Sequence, residues 1–237
     1  MNGAMTPVLA RFVPSPRATP LATAMILILL GAGVTLRLGF PDDIDDVVGW
    51  TSTNVQNLAS HPVASMLASA FVVPTGLLPE LILVAVGFTL LERSIGTLRT
   101  AAVALSGHVV ASLLTEYGAY LLTNSATDRD DVGVSYAMFA VLAAGAFRLT
   151  GRLRLLSLAA VGAAVLIPIG VAPGMTTTGH LLAAALGPLT MAALTRRRVL
   201  LQPGDPPAGV GAPAPAPVPA GAAARKIIPG GRADPGE

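Results

Sequence analysis

The chain has 237 residues, 53% of them hydrophobic and 12% charged, with a formal net charge of +2 and a mean hydropathy of +0.68. That is the composition of a membrane protein. There is no cysteine, which excludes disulfides, thiolate zinc sites and a cysteine nucleophile; with aromatics at 4%, no nucleic-acid partner is expected.

Residues 1–20 are polar and proline-bearing, with Arg11 and Arg17, and read as a cytoplasmic N-terminal segment. The first apolar run, Leu21 to about Phe40, has the length of about 20 residues that a bilayer core of roughly 30 Å demands of a helix, which favours a retained span over a cleaved signal. Arg37, near its far end, is expected to snorkel to the headgroups. The acidic stretch PDDIDDVVGWTSTNVQN and the apolar HPVASMLASAFVVPTG, broken by Pro62 and Pro74, read as a long loop partly sunk in the membrane, with Trp50 at the interface. Five more spans are expected, at Leu77–Leu91, Leu98–Leu122, Val132–Phe147, Leu155–Val171 and Thr178–Leu194. The fold class is therefore an all-α bundle of six transmembrane helices over residues 21–198. Residues 199–237 are Pro/Ala/Gly-rich, too poor in bulky apolar side chains to offset the cost of ordering, and are expected to form a disordered cytoplasmic tail.

The charges test this partition independently, because cytoplasmic loops carry the Lys/Arg excess. Arg11 and Arg17 precede the first span. Arg93 and Arg99 join the second to the third, Arg148, Arg152 and Arg154 join the fourth to the fifth, and Arg196, Arg197 and Arg198 follow the sixth. Six spans put all four clusters on one face. The opposite loops hold Asp42, Asp43, Asp45, Asp46, Asp128, Asp130 and Asp131, with Arg129 the one base well inside them.

Polar residues inside the spans then carry the chemistry, since a nucleophilic or ionisable group at membrane depth is costly and faces the bundle interior. Ser135 is expected one turn inside the outer end of the fourth span and His180 one turn inside the outer end of the sixth, so the two share a depth. Ser135 and Phe139 are i and i+4 on one helical face, and His180 shares its face with Ala183 and Gly187 at i+3 and i+7. Small residues let helices approach closely, so imidazole can meet hydroxyl, the pairing by which a base activates a serine. No carboxylate is in place to orient the base, and Phe139 is the candidate to hold the ring by packing. Other readings of the same residues are blander. Ser135 could only bond its own backbone one turn back. His180 could be an interhelical hydrogen-bonding group, as His108 in the third span is expected to be. His61 beside Pro62 is expected at the interface, and Glu92 is expected to pair with Arg93 and Arg99 at the cytoplasmic rim. Three histidines on three segments make no credible metal set, and no Gly-rich loop sits between strand and helix, so neither metal nor cofactor is expected.

The segment GVSYAMFAVLAAGA resembles the catalytic fourth helix of the rhomboid intramembrane proteases, whose pattern is Gly-x-Ser-Gly with an aromatic four residues after the serine. GHLLAAALG resembles their sixth helix, where the catalytic histidine is followed by small residues at +3 and +7. LLERSIGTLR is similar to the Glu-x-x-x-Gly stretch that closes their second helix. The resemblance covers roughly residues 60 to 195. It implies the rhomboid fold in a bacterial plasma membrane, with both termini cytoplasmic, Ser135 as nucleophile, His180 as general base, Gly133 and Phe139 as supporting residues, and a transmembrane protein as substrate within the lipid.

Three departures from the family pattern bear on activity. Tyr136 replaces the second glycine, and its phenol is expected to crowd the dyad. Gly76 and Glu80 occupy the positions of a His-x-x-x-Asn pair that supplies the oxyanion hole, and Ala64 and Ser65 replace a Trp-Arg pair in the first loop. Losing one side-chain oxyanion donor costs a hydrolase about 10²–10³ in turnover. Desolvation favours the neutral form of a carboxyl, which carries an O–H donor, so a protonated Glu80 is expected to substitute for one of the missing donors. Two functions follow: an intramembrane serine endopeptidase, or a catalytically silent pseudoprotease that binds transmembrane client helices.

Overall fold

The computed structural model describes residues 13–123 and 130–201, without the side chains of 197–201. Arg11, Asp128, Arg129 and the tail beyond residue 201 lie outside the described residues. Every element among those described is a helix.

Helix α1 spans Pro20–Gly39 and starts with proline at its first position, where a missing N–H costs nothing. The N–H groups of Leu21 and Ala22, which no helical carbonyl can reach, are taken by the Glu92 carboxylate at 3.0 and 2.9 Å. Glu92 also accepts from Thr97 Oγ1 at 2.7 Å. The expectation of a rim ion pair for Glu92 is therefore corrected: it caps a helix. Arg93 donates instead to the Val13 carbonyl, and Arg99 to the Ile95 carbonyl. A negative charge at a helix N-terminus is also favoured by the helix dipole. The Arg37 guanidinium donates to the carbonyls of Val73 and Pro74, stapling the chain that enters the second long helix.

The long loop is not irregular. It folds as three short helices, α2 (Ile44–Thr51), α3 (Val55–Ser60) and α4 (Pro62–Ser69). Asn54 caps α3 by accepting from the Asn57 N–H, and the Asn57 amide donates to the carbonyls of Gly49 and Ser52, both at 2.8 Å. Pro62 opens α4 rather than breaking it. Trp50, 57% exposed, stacks on His61 with ring centroids 5.1 Å apart, as suits an interfacial pair.

Helix α5 (Leu77–Ile95) starts after Gly76, whose φ of +70° excludes side chains at low cost, and ends at Gly96, φ +86°. Most of its buried residues, Val84, Gly87, Phe88, Leu91, Glu92 and Ile95, recur at three- and four-residue spacing and form one face. Helix α6 (Thr97–Thr123) is interrupted by a π-helical turn at Ser106–Val110. Helix α7 (Ser135–Arg148) is the centre of the bundle, with Tyr136 to Val141 and Ala143 to Ala146 all buried. Its alanines admit close neighbours: a Cβ on Gly107 of α6 would overlap Ala140. So would one on Gly187, falling 2.6 Å from the Ala140 carbonyl carbon. Helix α8 (Gly151–Val171) packs on α7 and buries Val165 alone. Helix α9 (Met175–Leu201) carries Gly187 and is bonded to the π turn through Thr190 Oγ1 to Ser106 Oγ, 2.9 Å.

Four helices are long and apolar enough to cross a membrane: α1, α6, α8 and the Met175–Arg196 part of α9. The apolar run of helix α5 is broken by Glu80, Glu92 and Arg93, and α7 has 14 residues, fewer than the ~20 that a lipid-exposed span needs. Burial among neighbours rather than contact with lipid is what lets so short a helix sit at the bundle centre.

Candidate active site

Val132–Phe147 was the expected fourth span, but the helix begins at Ser135 itself. The preceding residues are tied to the segment of the short loop helices. Gly133, φ +116°, donates its N–H to the Ser69 carbonyl at 2.7 Å, and the Thr53 N–H donates to the Asp131 carbonyl at 3.0 Å. The serine thus stands at a helix N-terminus, where the first N–H groups of Ser135, Tyr136 and Ala137 have no intrahelical acceptor and the dipole is positive.

Ser135 Oγ lies 3.0 Å from His180 Nε2. The imidazole is bracketed by two rings. Phe139 is tilted against it with centroids 4.5 Å apart, and Tyr136 meets it edge-on at 5.5 Å. The close approach of α9 to α7 at Gly187 and Ala140 brings these groups together.

A second serine–histidine pair shows by contrast what a base requires. His108 Nε2 lies 3.4 Å from Ser69 Oγ, but it lies 2.8 Å from the Met66 carbonyl. A carbonyl accepts only, so that nitrogen carries the proton and has no lone pair to offer Ser69. His108 is a structural donor between α6 and α4.

Tyr136 does not crowd the dyad. Its phenol occupies the space of an absent side chain at Gly179: a Cβ there would lie 2.6 Å from the Tyr136 Cε1 and closer still to Cζ and Oη. Its hydroxyl faces the Asp131 carboxyl, with Thr115 beside it; the Thr115 hydroxyl itself donates to the Ala111 carbonyl. Asp131 in turn accepts from Thr53 Oγ1 at 3.1 Å, and its N–H donates to Ser52 Oγ at 2.8 Å. Burial raises the Asp131 carboxyl above the ordinary aspartate pKa, while the hydrogen bonds from Thr53 and Tyr136 pull it down. In the sequence Asp131 reads only as a topology marker, and no local pattern singles out Thr53, Thr115 or Gly179. The one available signal was an acidic residue two positions before a glycine at a helix start.

Glu80 stands in the first turn of α5, half-buried, with Oε2 shielded and unbonded among the described residues. No hydrogen bond joins it to Ser135 or His180. An apolar cavity of about 390 Å³ lies between α5, α7 and α8, lined by Leu83, Leu90, Phe139, Leu142, Leu153 and Val161 among others. Phe139 is the wall it shares with the dyad. Among the described residues no group of three or more acidic and histidine side chains could hold a metal.

An all-helical integral membrane protein with a serine and a histidine in contact at one end of its bundle is the class these observations define. The family model for rhomboid-like proteins matches residues 16–200, and the chain belongs to that family. No curated protein and no solved structure matches it.

Proposed function

We propose that the protein is an intramembrane serine endopeptidase with Ser135 as nucleophile and His180 as general base. The observation that carries this reading is the 3.0 Å contact between Ser135 Oγ and His180 Nε2, with the imidazole held between two rings. His180 takes the hydroxyl proton as Oγ attacks a peptide carbonyl. The developing oxyanion meets N–H groups at the α7 N-terminus, and His180 returns the proton to the leaving amine. Water, activated by the same imidazole, then hydrolyses the acyl-enzyme. The substrate is a transmembrane protein helix, because the cavity bordering Phe139 is apolar and faces α8, the least buried of the long helices.

The domain carries out this chemistry as a six-span bundle over residues 21–198, with α5 and α7 as the second and fourth spans. Residues 1–20 and the tail from 199 lie in the cytoplasm of a bacterial cell, and the bundle in its plasma membrane. The arginine clusters support that orientation.

One observation favours the alternative, a pseudoprotease that binds client helices without cutting them. Gly76, at the position of an expected oxyanion donor, precedes α5 in a left-handed conformation, so the site lacks that donor by backbone design. Labelling of the purified protein with a fluorophosphonate separates the readings. The protease labels, and Ser135→Ala and His180→Ala both abolish labelling; a folded wild-type protein that never labels is the pseudoprotease.

A further inference from the structure

A serine–histidine pair without a carboxylate leaves the imidazole free to turn about its side-chain torsions, and each turn withdraws Nε2 from the hydroxyl. Packing alone must hold the ring, and a packed ring is only as fixed as its neighbours. Phe139 is fixed by its place on the buried face of α7. Tyr136 is fixed by more than packing. Its hydroxyl faces the Asp131 carboxyl, the acceptor for its one proton, with the Thr115 side chain of α6 beside it. Asp131 is itself tied to Ser52 and Thr53 in the loop between α2 and α3 through its N–H, its carbonyl and its carboxyl. The phenol occupies the space left open by Gly179, the residue immediately before His180. The backbone that carries the histidine and the ring that abuts it are therefore fitted to each other.

We propose that Tyr136 is a positioning residue for His180 and that Asp131 acts through it. The anchored phenol holds the imidazole in the orientation that presents Nε2 to Ser135, the task that an orienting carboxylate performs in a triad. The inference rests on the protease reading for its catalytic consequence, although the geometry it describes is independent of turnover. The pairing of Tyr136 with Gly179 is the mark of the device. A tyrosine with any side chain at residue 179 would be displaced toward the dyad, whereas with glycine it is seated beside it.

The test uses the full-length protein labelled with ¹⁵N-histidine in micelles, with His180 assigned from the spectrum of His180→Ala. A Ser135 hydroxyl that donates to Nε2 requires the Nδ1-protonated tautomer of neutral His180, so the wild type should give one sharp set of that tautomer. Tyr136→Phe keeps the ring and loses the anchor. Its His180 signals should broaden or mix tautomers, and fluorophosphonate labelling should slow about tenfold, the scale of one hydrogen bond. Asp131→Asn retains an acceptor for the phenol and should stay near wild type in both, whereas Asp131→Leu should match Tyr136→Phe. The double variant Tyr136→Phe/Asp131→Leu should be no slower than either single, because the two residues act in series. A Tyr136→Phe protein that is less heat-stable but has an unchanged His180 spectrum would reduce Tyr136 to a packing residue and overturn the proposal. If the wild type never labels, the protease reading fails, and the tautomer spectra still decide whether Tyr136 orients His180.

Discussion

The Glu92 carboxylate holds the backbone N–H of Ala22 at 2.9 Å, joining residues 70 positions apart. With the Leu21 N–H and the Thr97 hydroxyl, it closes the N-terminus of α1 onto the junction of α5 and α6 at one end of the bundle. A charged acceptor serving three donors in a buried place is costly to lose, because the N–H groups left behind find no water. Glu92→Ala should lower stability by about 2–4 kcal/mol, since hydrogen bonds to charged groups contribute about 1.5–3 kcal/mol each and relaxation recovers part. Glu92→Gln should lose less, as one amide oxygen still accepts. Thermal unfolding in one detergent compares them, and an Ala variant as stable as wild type would dismiss the capping role.

Gly187→Val should separate the dyad without touching it. A Cβ at residue 187 meets the Ala140 backbone rather than a flexible side-chain end, so α9 must move away, and overpacking of this kind costs about 1–3 kcal/mol. The expected result is a folded protein with fluorophosphonate labelling abolished. Retained labelling would mean that α9 can hold His180 in place without the close approach.

Asp131 has a pH signature of definite sign. Because burial raises its folded-state pKa above the ordinary value of 3.8, the folded protein binds this proton more tightly than the unfolded chain. Stability contributed by that proton is full below the ordinary value and is lost as pH rises through the folded-state value. Among the described residues the side chains facing the carboxyl are Thr53 and Tyr136, with Glu116 acting on Tyr136 from α6. The stability difference between wild type and Asp131→Asn should shift against the wild type as pH rises from about 4 toward 7. A difference that is flat, or of opposite slope, would deny the raised value.

The cavity beside Phe139 gives a way to separate substrate access from chemistry. Ala160→Trp places a large ring where α8 lines that cavity. Cleavage of a transmembrane substrate in liposomes should fall at least tenfold, a change of about 1.4 kcal/mol in the barrier. Labelling by a small fluorophosphonate should change less than threefold on the same scale. Equal loss of both would place the effect at the dyad instead.

Orientation is checked with single cysteines, which the cysteine-free chain permits. Asp43→Cys and Arg152→Cys change exposed side chains. In intact cells an impermeant maleimide should block the first and reach the second only after lysis; the reverse pattern would invert the topology.

Sequence alone determined the membrane class and the approximate course of the long helices, because apolar composition and run length are local properties. Leu77 and Val171 mark helix ends where the apolar pattern puts them. What the tertiary structure decided were the contacts between distant segments. The loop before α5 holds three helices whose turns are closed by Asn54 and Asn57, signals too short to stand against Pro62 and Pro74 in a sequence reading. Glu92 had arginines as neighbours in the chain but helix α1 as its neighbour in space. Tyr136 looked like an obstruction because its effect depends on Gly179, 43 positions away, and whether a phenol crowds a site or braces it is settled only by what occupies the space its ring enters.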